Sequence, residues 1–252
     1  MHLKNVIVTG GVNGIGRSTV YKFVKEGYRT CFFDIDEAGK EMAEGINFEL
    51  GDERARFYQA DVSDLTSVQA ACSKALDWMG GRVDVLVNNA GIVAKQDGEH
   101  VAVEDIRPET LQRQFSVNVF SVMYMCREIV PAMRRQGFGT IINIASLAAF
   151  GTRLNAHYAA SKGAVEALTR SLAMELAPDI TVLAISPGLT RTEFIADLSP
   201  EQTHGFVRET QTGKLIEPWE VARQVVHFSH ADCAALTGQI IHVNGGSNRQ
   251  FR

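Results

Sequence analysis

The sequence has no apolar run long enough to cross a bilayer and no apolar leader near its start. A membrane-spanning helix needs about 18 or more consecutive apolar residues, and the 252-residue sequence contains no such run. Residues 1–4 lead directly into the apolar residues 6–8, and Gly10 follows, which is too short an apolar region for a signal peptide. We therefore expect no membrane partner.

The sequence is also poor in cysteine. Its four cysteines lie far apart and form no Cys-x-x-Cys pair; they are Cys31, Cys72, Cys126 and Cys233. This spacing favours neither a disulfide framework nor a zinc knuckle, and a reducing cytoplasm is the simplest location. His227 and His230 stand near Asp232, but histidines at the end of a helical pattern suit the helix C-terminus better than a metal. We predict no metal site.

Charge of one sign is not in marked excess. The 25 Lys and Arg residues against 29 Asp and Glu residues leave a net charge of -4, and no basic stripe is present, so we expect no nucleic-acid partner. With 45% hydrophobic and 21% charged residues the chain has the composition of a globular protein. Its length permits one large α/β domain or two small ones.

Short apolar runs alternate with helical patterns along the whole chain. The predicted strands are 5–9, 30–34, 56–60, 83–88, 140–145, 181–186 and 239–243. The predicted helices are 15–26, 37–49, 65–79, 109–136, 158–177 and 218–230. This alternation predicts a doubly wound α/β fold, with a parallel sheet between two helical layers. No Pro/Gly-rich linker divides the chain, so we predict one domain over residues 1–252.

The least regular segment runs from Gly188 to Glu217. A long irregular connection in a compact domain is often a lid over a site. Two ordinary surface helices are the alternative, and the sequence does not decide between them.

A glycine-rich turn directly follows the first predicted strand. Residues 9–16 read Thr-Gly-Gly-Val-Asn-Gly-Ile-Gly, and a helical pattern begins at once. Glycines let the backbone turn sharply beside a pyrophosphate, and the N–H groups of the helix start favour its negative charge. The spacing G-x-x-x-G-x-G differs from the commoner G-x-G-x-x-G, and the Lys-Ser/Thr of a P-loop is missing.

The second predicted strand ends at an acidic residue. Asp34 lies eighteen residues beyond Gly16, as expected for a carboxylate that accepts hydrogen bonds from an adenosine ribose. It would repel a 2'-phosphate, and residues 32–36 contain no arginine to counter that charge. We therefore predict NAD rather than NADP; the alternative is a solvated aspartate in a turn.

A tyrosine and a lysine share one helical face. Tyr158 and Lys162 are four residues apart, about one turn, and Ser146 lies twelve residues before the tyrosine. A phenol beside an ammonium is suited to proton transfer, although such a pair also arises by chance. His157 points about 100 degrees away from Tyr158 on a helix, so it either lines the edge of a pocket or faces elsewhere.

Together these residues resemble the short-chain dehydrogenase/reductase family, in its short single-domain branch. The resemblance spans nearly the whole chain, and its motifs occur in the family's order. They are residues 9–16, Asp61-Val62, Asn88-Asn89-Ala90-Gly91, Asn118, Ser146, Tyr158-x-x-x-Lys162, Pro187-Gly188 with Thr192, Thr237-Gly238 and Asn244-Gly245-Gly246. It implies a Rossmann-type three-layer α/β/α fold with a mostly parallel seven-stranded sheet.

The resemblance also implies roles. Expected cofactor contacts are Gly10, Asn13, Gly14, Ile15, Gly16, Asp34, Ile35, Asp61, Val62, Asn88, Ala90, Gly91, Tyr158, Lys162, Pro187, Gly188, Thr190 and Thr192. Expected catalytic residues are Asn118, Ser146, Tyr158 and Lys162. Tyr158 would exchange a proton with the substrate oxygen, Ser146 would hold that oxygen, and Asn118 would position a water.

Lys162 has two expected roles in this scheme. It would hydrogen-bond the nicotinamide ribose, and together with the positive nicotinamide ring it would lower the pKa of the phenol. Proton exchange near neutral pH requires that pKa to lie about two or three below its free value near 10, or roughly 3 to 4 kcal/mol.

The implied function is NAD-dependent hydride transfer between the cofactor and a secondary alcohol or ketone. The alternative is a catalytically silent NAD-binding sensor or scaffold, which would be expected to lack one of the catalytic groups. The substrate stays open; residues 94–107, 147–157 and 189–217 are expected to shape its pocket. The resemblance also implies a homo-oligomer, a tetramer or a dimer, formed through the helical patterns 109–136 and 158–177.

Overall fold

The computed structural model describes residues 3–196 and 198–247, and within these residues seven strands form one sheet. The strands are β1 (Asn5–Thr9), β2 (Arg29–Asp34), β3 (Ala55–Gln59), β4 (Val85–Asn88), β5 (Gly139–Ile144), β6 (Ile180–Pro187) and β7 (Ile240–Val243). Their order is β3-β2-β1-β4-β5-β6-β7, and every neighbouring pair is parallel. The predicted fold is confirmed.

Helices cover both faces of this sheet. The α-helices of the described chain are α1 (Gly14–Lys25), α2 (Ala38–Leu50), α3 (Leu65–Trp78), α4 (Pro108–Phe115), α5 (Ser121–Gln136), α6 (Ala156–Leu176), α7 (Pro200–Arg208) and α8 (Pro218–Phe228). Helices α3, α5 and α6 pack on one face, and α1, α2 and α8 pack on the other. The central strands are buried on both sides, which explains their uninterrupted apolar sequences.

Two predicted segments differ from the structure. The predicted helix 109–136 is divided by a π-helical turn, Ser116–Phe120, between α4 and α5. The irregular segment after Gly188 contains a short 3-10 turn, Glu193–Ile195, and one α-helix, α7. The Ser199 hydroxyl accepts a hydrogen bond from the Gln202 N–H and caps α7, a signal that the sequence does contain. In the described residues, no helix combines the length and apolarity needed to span a bilayer.

A chain of polar side chains crosses the core beneath the carboxyl ends of the strands. The amide of Asn88 donates to Asn143 Oδ1 at 2.9 Å, and Asn143 Nδ2 donates to Thr169 Oγ1 at 2.9 Å. The Thr169 hydroxyl then donates to the Val165 carbonyl at 2.8 Å. This chain ties β4 to β5 and α6, because a buried polar group must be paired with another.

We expect Asn143→Leu to destabilise the protein by about 2 to 4 kcal/mol, because it removes the oxygen acceptor of the buried Asn88 amide and the donor to the buried Thr169 hydroxyl. Urea unfolding followed by circular dichroism measures the change. Gln69→Leu, on the exposed side of α3, is the control and should change stability by less than about 0.5 kcal/mol. Equal stabilities of Asn143→Leu and the control would contradict the assigned role.

Candidate functional site

A cleft of about 560 Å³ opens at the carboxyl ends of the strands. It lies where the chain turns to opposite sides of the sheet, between β1 and β4, the position at which doubly wound sheets bind ligands. Most of the predicted site residues line it: Gly10, Asn13, Gly14, Ile15, Asp34, Ile35, Asp61, Val62, Ala90, Gly91, Ser146, Tyr158, Lys162, Pro187, Gly188, Thr190 and Thr192. Gly16, Asn88 and Asn118 lie behind this wall.

The glycine turn is held tightly between β1 and α1. The N–H groups of Gly10 and Gly11 donate to the Phe33 carbonyl at 2.8 and 3.2 Å, and Gly10 has a φ of 65°. A Cβ added to Gly16 would lie 1.8 Å from the Gly10 carbonyl oxygen, so only glycine fits there. Asn13 precedes α1 with an extended backbone, and within the described chain its side chain makes no capping hydrogen bond. The first N–H groups of α1 therefore face the cleft.

Asn89 connects this turn to β4. Its Nδ2 donates to the carbonyls of Thr9 and Gly10, both at 2.9 Å. The Thr9 hydroxyl accepts hydrogen bonds from the N–H groups of Asn89 and Ala90, each at 3.1 Å. The sequence prediction did not include Asn89 among the site residues, although it lies within the Asn-Asn-Ala-Gly motif.

The end of the cleft beside β2 is acidic. Asp34 Oδ2 accepts from the Val12 N–H at 3.0 Å, and Oδ1 accepts from the Asp36 N–H at 3.2 Å. Ile35, Asp61 and Val62 line the cleft next to it. Among the described residues that line this end, none is Lys or Arg. The field there is negative, and Asp34 keeps further lone pairs for hydroxyl donors.

Tyr158, Lys162 and Ser146 meet on one wall of the cleft. The Lys162 ammonium is buried, donates to the Ile144 carbonyl at 2.8 Å and lies 6.0 Å from the centre of the Tyr158 ring. Ser146 Oγ caps the 3-10 turn Leu147–Phe150, since it accepts from the Ala148 N–H at 3.1 Å. The Ser146 side chain is close enough to the Tyr158 phenol to lower its pKa.

The two titratable groups have shifted pKa values. Burial lowers the pKa of Lys162 to about 8, because the charged form loses hydration. Burial raises the pKa of Tyr158, and the nearby Ser146 side chain partly opposes that increase. The sequence-based expectation of a lowered pKa for Tyr158 is therefore not met by the protein alone. The surroundings keep the phenol protonated, and a lowering requires additional positive charge in the cleft.

Asn118 lies in the π-helical turn behind the wall. Its Oδ1 accepts from the Ile92 N–H at 2.8 Å, and its Nδ2 donates to the Ile92 carbonyl and to Ser161 Oγ, both at 3.0 Å. Gly91 packs against this amide, because a Cβ there would lie 3.4 Å from Asn118 Oδ1 and 3.3 Å from Lys162 Nζ. The side chain fixes the wall, and the expected positioning of a water stays a prediction.

The segment after β6 crosses the glycine turn. The Arg191 N–H donates to the Ile216 carbonyl at 2.8 Å, which anchors the segment in front of α8. A Cβ on Gly14 would lie 3.0 Å from Thr192 Cγ2 and 3.5 Å from the Glu193 carboxylate. Gly14, with a φ of 53°, lets this segment approach the start of α1.

Some cleft residues carried too weak a sequence signal to be predicted. Val93, Arg113 and Val117 line the cleft, and the last two lie one turn apart across the junction of α4 and the π-helical turn. His157 is buried against the Ala94 carbonyl, outside the lining. The part of the chain that the structure describes contains no group of three His, Cys, Asp or Glu side chains that could hold a metal ion.

Comparison with known proteins identifies the family. A family model described as enoyl-(acyl carrier protein) reductase matches residues 10–248. The chain belongs to the short-chain dehydrogenase/reductase family. Members of this family are oxidoreductases that bind a nicotinamide cofactor, and this chain is an oxidoreductase of the same family.

Individual short-chain dehydrogenases/reductases are similar over nearly the full length. A 3-alpha-(or 20-beta)-hydroxysteroid dehydrogenase of Mycobacterium bovis is 37% identical, with 97% of this chain and 89% of that protein covered. A 3-oxoacyl-[acyl-carrier protein] reductase from Brucella melitensis has a TM-score of 0.88 at 33% identity, over 97% and 91% of the two chains. Actinorhodin polyketide ketoreductase, crystallised with NADPH, has a TM-score of 0.87 at 30% identity, over 97% of each chain.

The burial of the Lys162 ammonium should lower the free energy of unfolding at neutral pH, and this loss should shrink as the pH rises. Because the folded pKa of Lys162, about 8, lies below the unfolded value of 10.5, the unfolded state holds more protons between these values and stability rises with pH there. We expect the stability of wild type relative to Lys162→Met to rise by about 2 kcal/mol from pH 7 to pH 9.5.

Urea unfolding at the two pH values measures this change. Lys25→Met, which removes an exposed lysine of α1, is the matched control and should show no such trend. A difference between wild type and Lys162→Met that stays constant with pH would refute the assigned burial cost.

Proposed function

We propose that the protein is an NAD-dependent dehydrogenase/reductase that interconverts a secondary alcohol and a ketone, with Tyr158 as the general acid and base. The observation that carries this proposal is the meeting of Ser146, Tyr158 and Lys162 on one wall of the cleft. Residues 1–252 form the single cofactor-binding and catalytic domain in this proposal.

The cleft residues fit a dinucleotide. The start of α1 presents backbone N–H groups to the cleft, and these suit the negative charge of a pyrophosphate. Asp34 would accept hydrogen bonds from the adenosine ribose, with Ile35, Asp61 and Val62 around the adenine. The nicotinamide would lie along residues 187–192, and its ribose would bond Tyr158 and Lys162. When bound, this cofactor supplies or takes up a hydride.

The acidic end of the cleft supports NAD over NADP. A 2'-phosphate placed beside Asp34 would meet its carboxylate and that of Asp61, and no described lining residue there is a cation. Repulsion between the 2'-phosphate and these two carboxylates at such short range would weaken the binding of NADP. The NADPH in the similar ketoreductase crystal belongs to that protein and does not decide the preference of this one.

Ser146 and Tyr158 would hold the substrate oxygen between their two hydroxyls. In reduction, the protonated phenol donates to the developing alkoxide, and the raised pKa of Tyr158 keeps it in the required form. In oxidation, the phenolate must form first, and the Lys162 ammonium stabilises it electrostatically. Lys162 is itself held by the Ile144 carbonyl, so its charge stays beside the ring.

The lining of the outer cleft supports a substrate with a bulky apolar body. Val93, Val117 and Leu147 form one part of it. The segment after β6 adds Leu189, Phe194, Ile195, Leu198 and Phe206. A hydroxysteroid is the substrate class named for one similar protein, and its shape suits such a lining. Arg113, Glu193 and Glu209 also belong to the lining and add charged groups of both signs to it.

A homo-oligomer, a tetramer or a dimer, and a cytoplasmic location belong to the same proposal. Phe120, Met123 and Met174 expose apolar surface on the α5 and α6 side of the molecule, which supports association there. All four cysteines are free thiols, in keeping with a reducing compartment.

Tyr158→Phe should lower turnover by at least about a hundredfold, because general acid–base catalysis contributes factors of this size. The assay follows NADH absorbance over a panel of cyclic, steroid and polyhydroxy alcohols and ketones. An enoyl thioester is included to test the reaction named in the family description. Tyr21→Phe, on α1, is the control and should retain activity. Equal rates in wild type and Tyr158→Phe would refute the role of Tyr158, and cofactor binding without turnover on any substrate would favour the silent scaffold.

Asp34→Arg should reverse the cofactor preference. The arginine removes the repulsion of a 2'-phosphate and supplies a charge-assisted partner for it, so the ratio of kcat/KM for NAD to that for NADP should fall at least tenfold. Asp34→Ala should weaken NAD binding without creating strong NADP binding. An NADP preference in wild type that neither substitution alters would show that Asp34 does not select the cofactor. Glu44→Arg, an exposed change on α2 with the same change of charge, is the control and should leave this ratio unchanged.

A further inference from the structure

The cleft wall after β4 is a stretch of backbone that pairs with side chains instead of a neighbouring strand. Residues 92–94 follow the end of the sheet, and Ile92 and Val93 line the cleft. The Ile92 N–H donates to Asn118 Oδ1 at 2.8 Å, and the Ile92 carbonyl accepts from Asn118 Nδ2 at 3.0 Å. Gln114 Nε2 also donates to the Ile92 carbonyl, at 2.8 Å.

Both backbone polar groups of Ala94 are also held by side chains. The Ala94 N–H donates to Gln114 Oε1 at 2.8 Å, and His157 Nε2 lies 2.9 Å from the Ala94 carbonyl oxygen. Gln114 comes from α4 and is fully buried, whereas His157 comes from α6 and is 4% exposed. Two neighbouring helices, α4 and α6, therefore hold the N–H and the carbonyl of the same residue, Ala94.

Chemistry defines the state of the histidine ring. A carbonyl oxygen only accepts hydrogen bonds, so His157 Nε2 must carry the hydrogen. In the neutral ring the other nitrogen, Nδ1, is then a lone pair, and it is buried without a partner among the described residues. His157 thus acts here as a donor to the wall and does not reach the cleft.

We propose that Gln114 and His157 are positioning residues that clamp Ala94 and thereby set the spacing between Val93 and Tyr158. His157 immediately precedes Tyr158 on α6, so its hydrogen bond ties the segment bearing the phenol to the stretch of residues 92–94. Val93 enters the cleft between Ile92 and Ala94, both of which are fixed by Gln114. The clamp would thus determine how bulky a ketone substrate can be and still fit beside the phenol. The kinetic part of this inference rests on the proposed function.

The clamp itself is tested without activity. Hydrogen exchange of the Ala94 amide should accelerate at least tenfold in Gln114→Leu, since its acceptor is lost. Gln112→Leu, an exposed change on the same helix, is the matched control and should leave that amide protected. Nitrogen-15 NMR, recorded at a pH where the imidazole ring is neutral, should show His157 as the Nε2–H tautomer. Unchanged exchange in Gln114→Leu, or the Nδ1–H tautomer, would overturn the clamp.

The positioning role is tested by kinetics on the intact enzyme. His157→Leu removes the donor and should lower kcat/KM for bulky ketones at least tenfold, mainly through KM, with the Kd for NAD unchanged. His157→Gln keeps an N–H donor and should recover most of that loss, whereas His227→Leu should have no effect. Equal losses in His157→Leu and His157→Gln, or none in either, would overturn the role. An enzyme inactive on every substrate, with the Ala94 amide still protected by Gln114, would refute the proposed function and leave the clamp in place.

Discussion

The amide of Asn89 holds together the two strands between which the cleft opens. β1 and β4 separate at their carboxyl ends because their chains continue to opposite sides of the sheet. Asn89 joins them again, because its Nδ2 donates to the Thr9 and Gly10 carbonyls. The glycine turn and the start of the cleft wall after β4 are therefore fixed relative to each other. Gly16 then packs α1 onto the same carbonyl of Gly10. The anion-binding end of α1 and the wall at Gly91 therefore share one rigid support.

The stretch of wall that continues beyond this support, residues 92–94, is stabilised in a different way. It leaves the sheet, so its backbone groups have no strand partner, and buried amides of Gln114 and Asn118 satisfy them instead. Lys162 is a second departure from an ordinary core, since its ammonium is buried with a carbonyl as its partner. The burial of the Lys162 ammonium costs stability locally, and both features are placed where the chemistry is proposed to occur.

Much of the fold follows from local sequence. The uninterrupted apolar strands, the glycine turn and Asp34 at the end of β2 each carry a signal within a few residues, and the predicted strands match the structure to within one or two residues. The π-helical turn at Ser116–Phe120 depends on how Asn118 meets Ile92 and Ser161, which are distant in sequence. The upward pKa shift of Tyr158 likewise depends on burial by several elements, which no spacing rule reveals.

The π-helical turn between α4 and α5 changes the direction in which the side chains of the two helices face. A π turn accommodates one more residue than an α turn, so it rotates everything after it by about 100 degrees relative to a continuous helix. Arg113 on α4 can therefore face the cleft while Met125 on α5 faces the core. The turn uncouples the surface that meets the substrate from the surface that holds the sheet. Substitutions on the side of α4 that faces the cleft would therefore change the surface offered to a substrate without changing how α5 packs on the sheet.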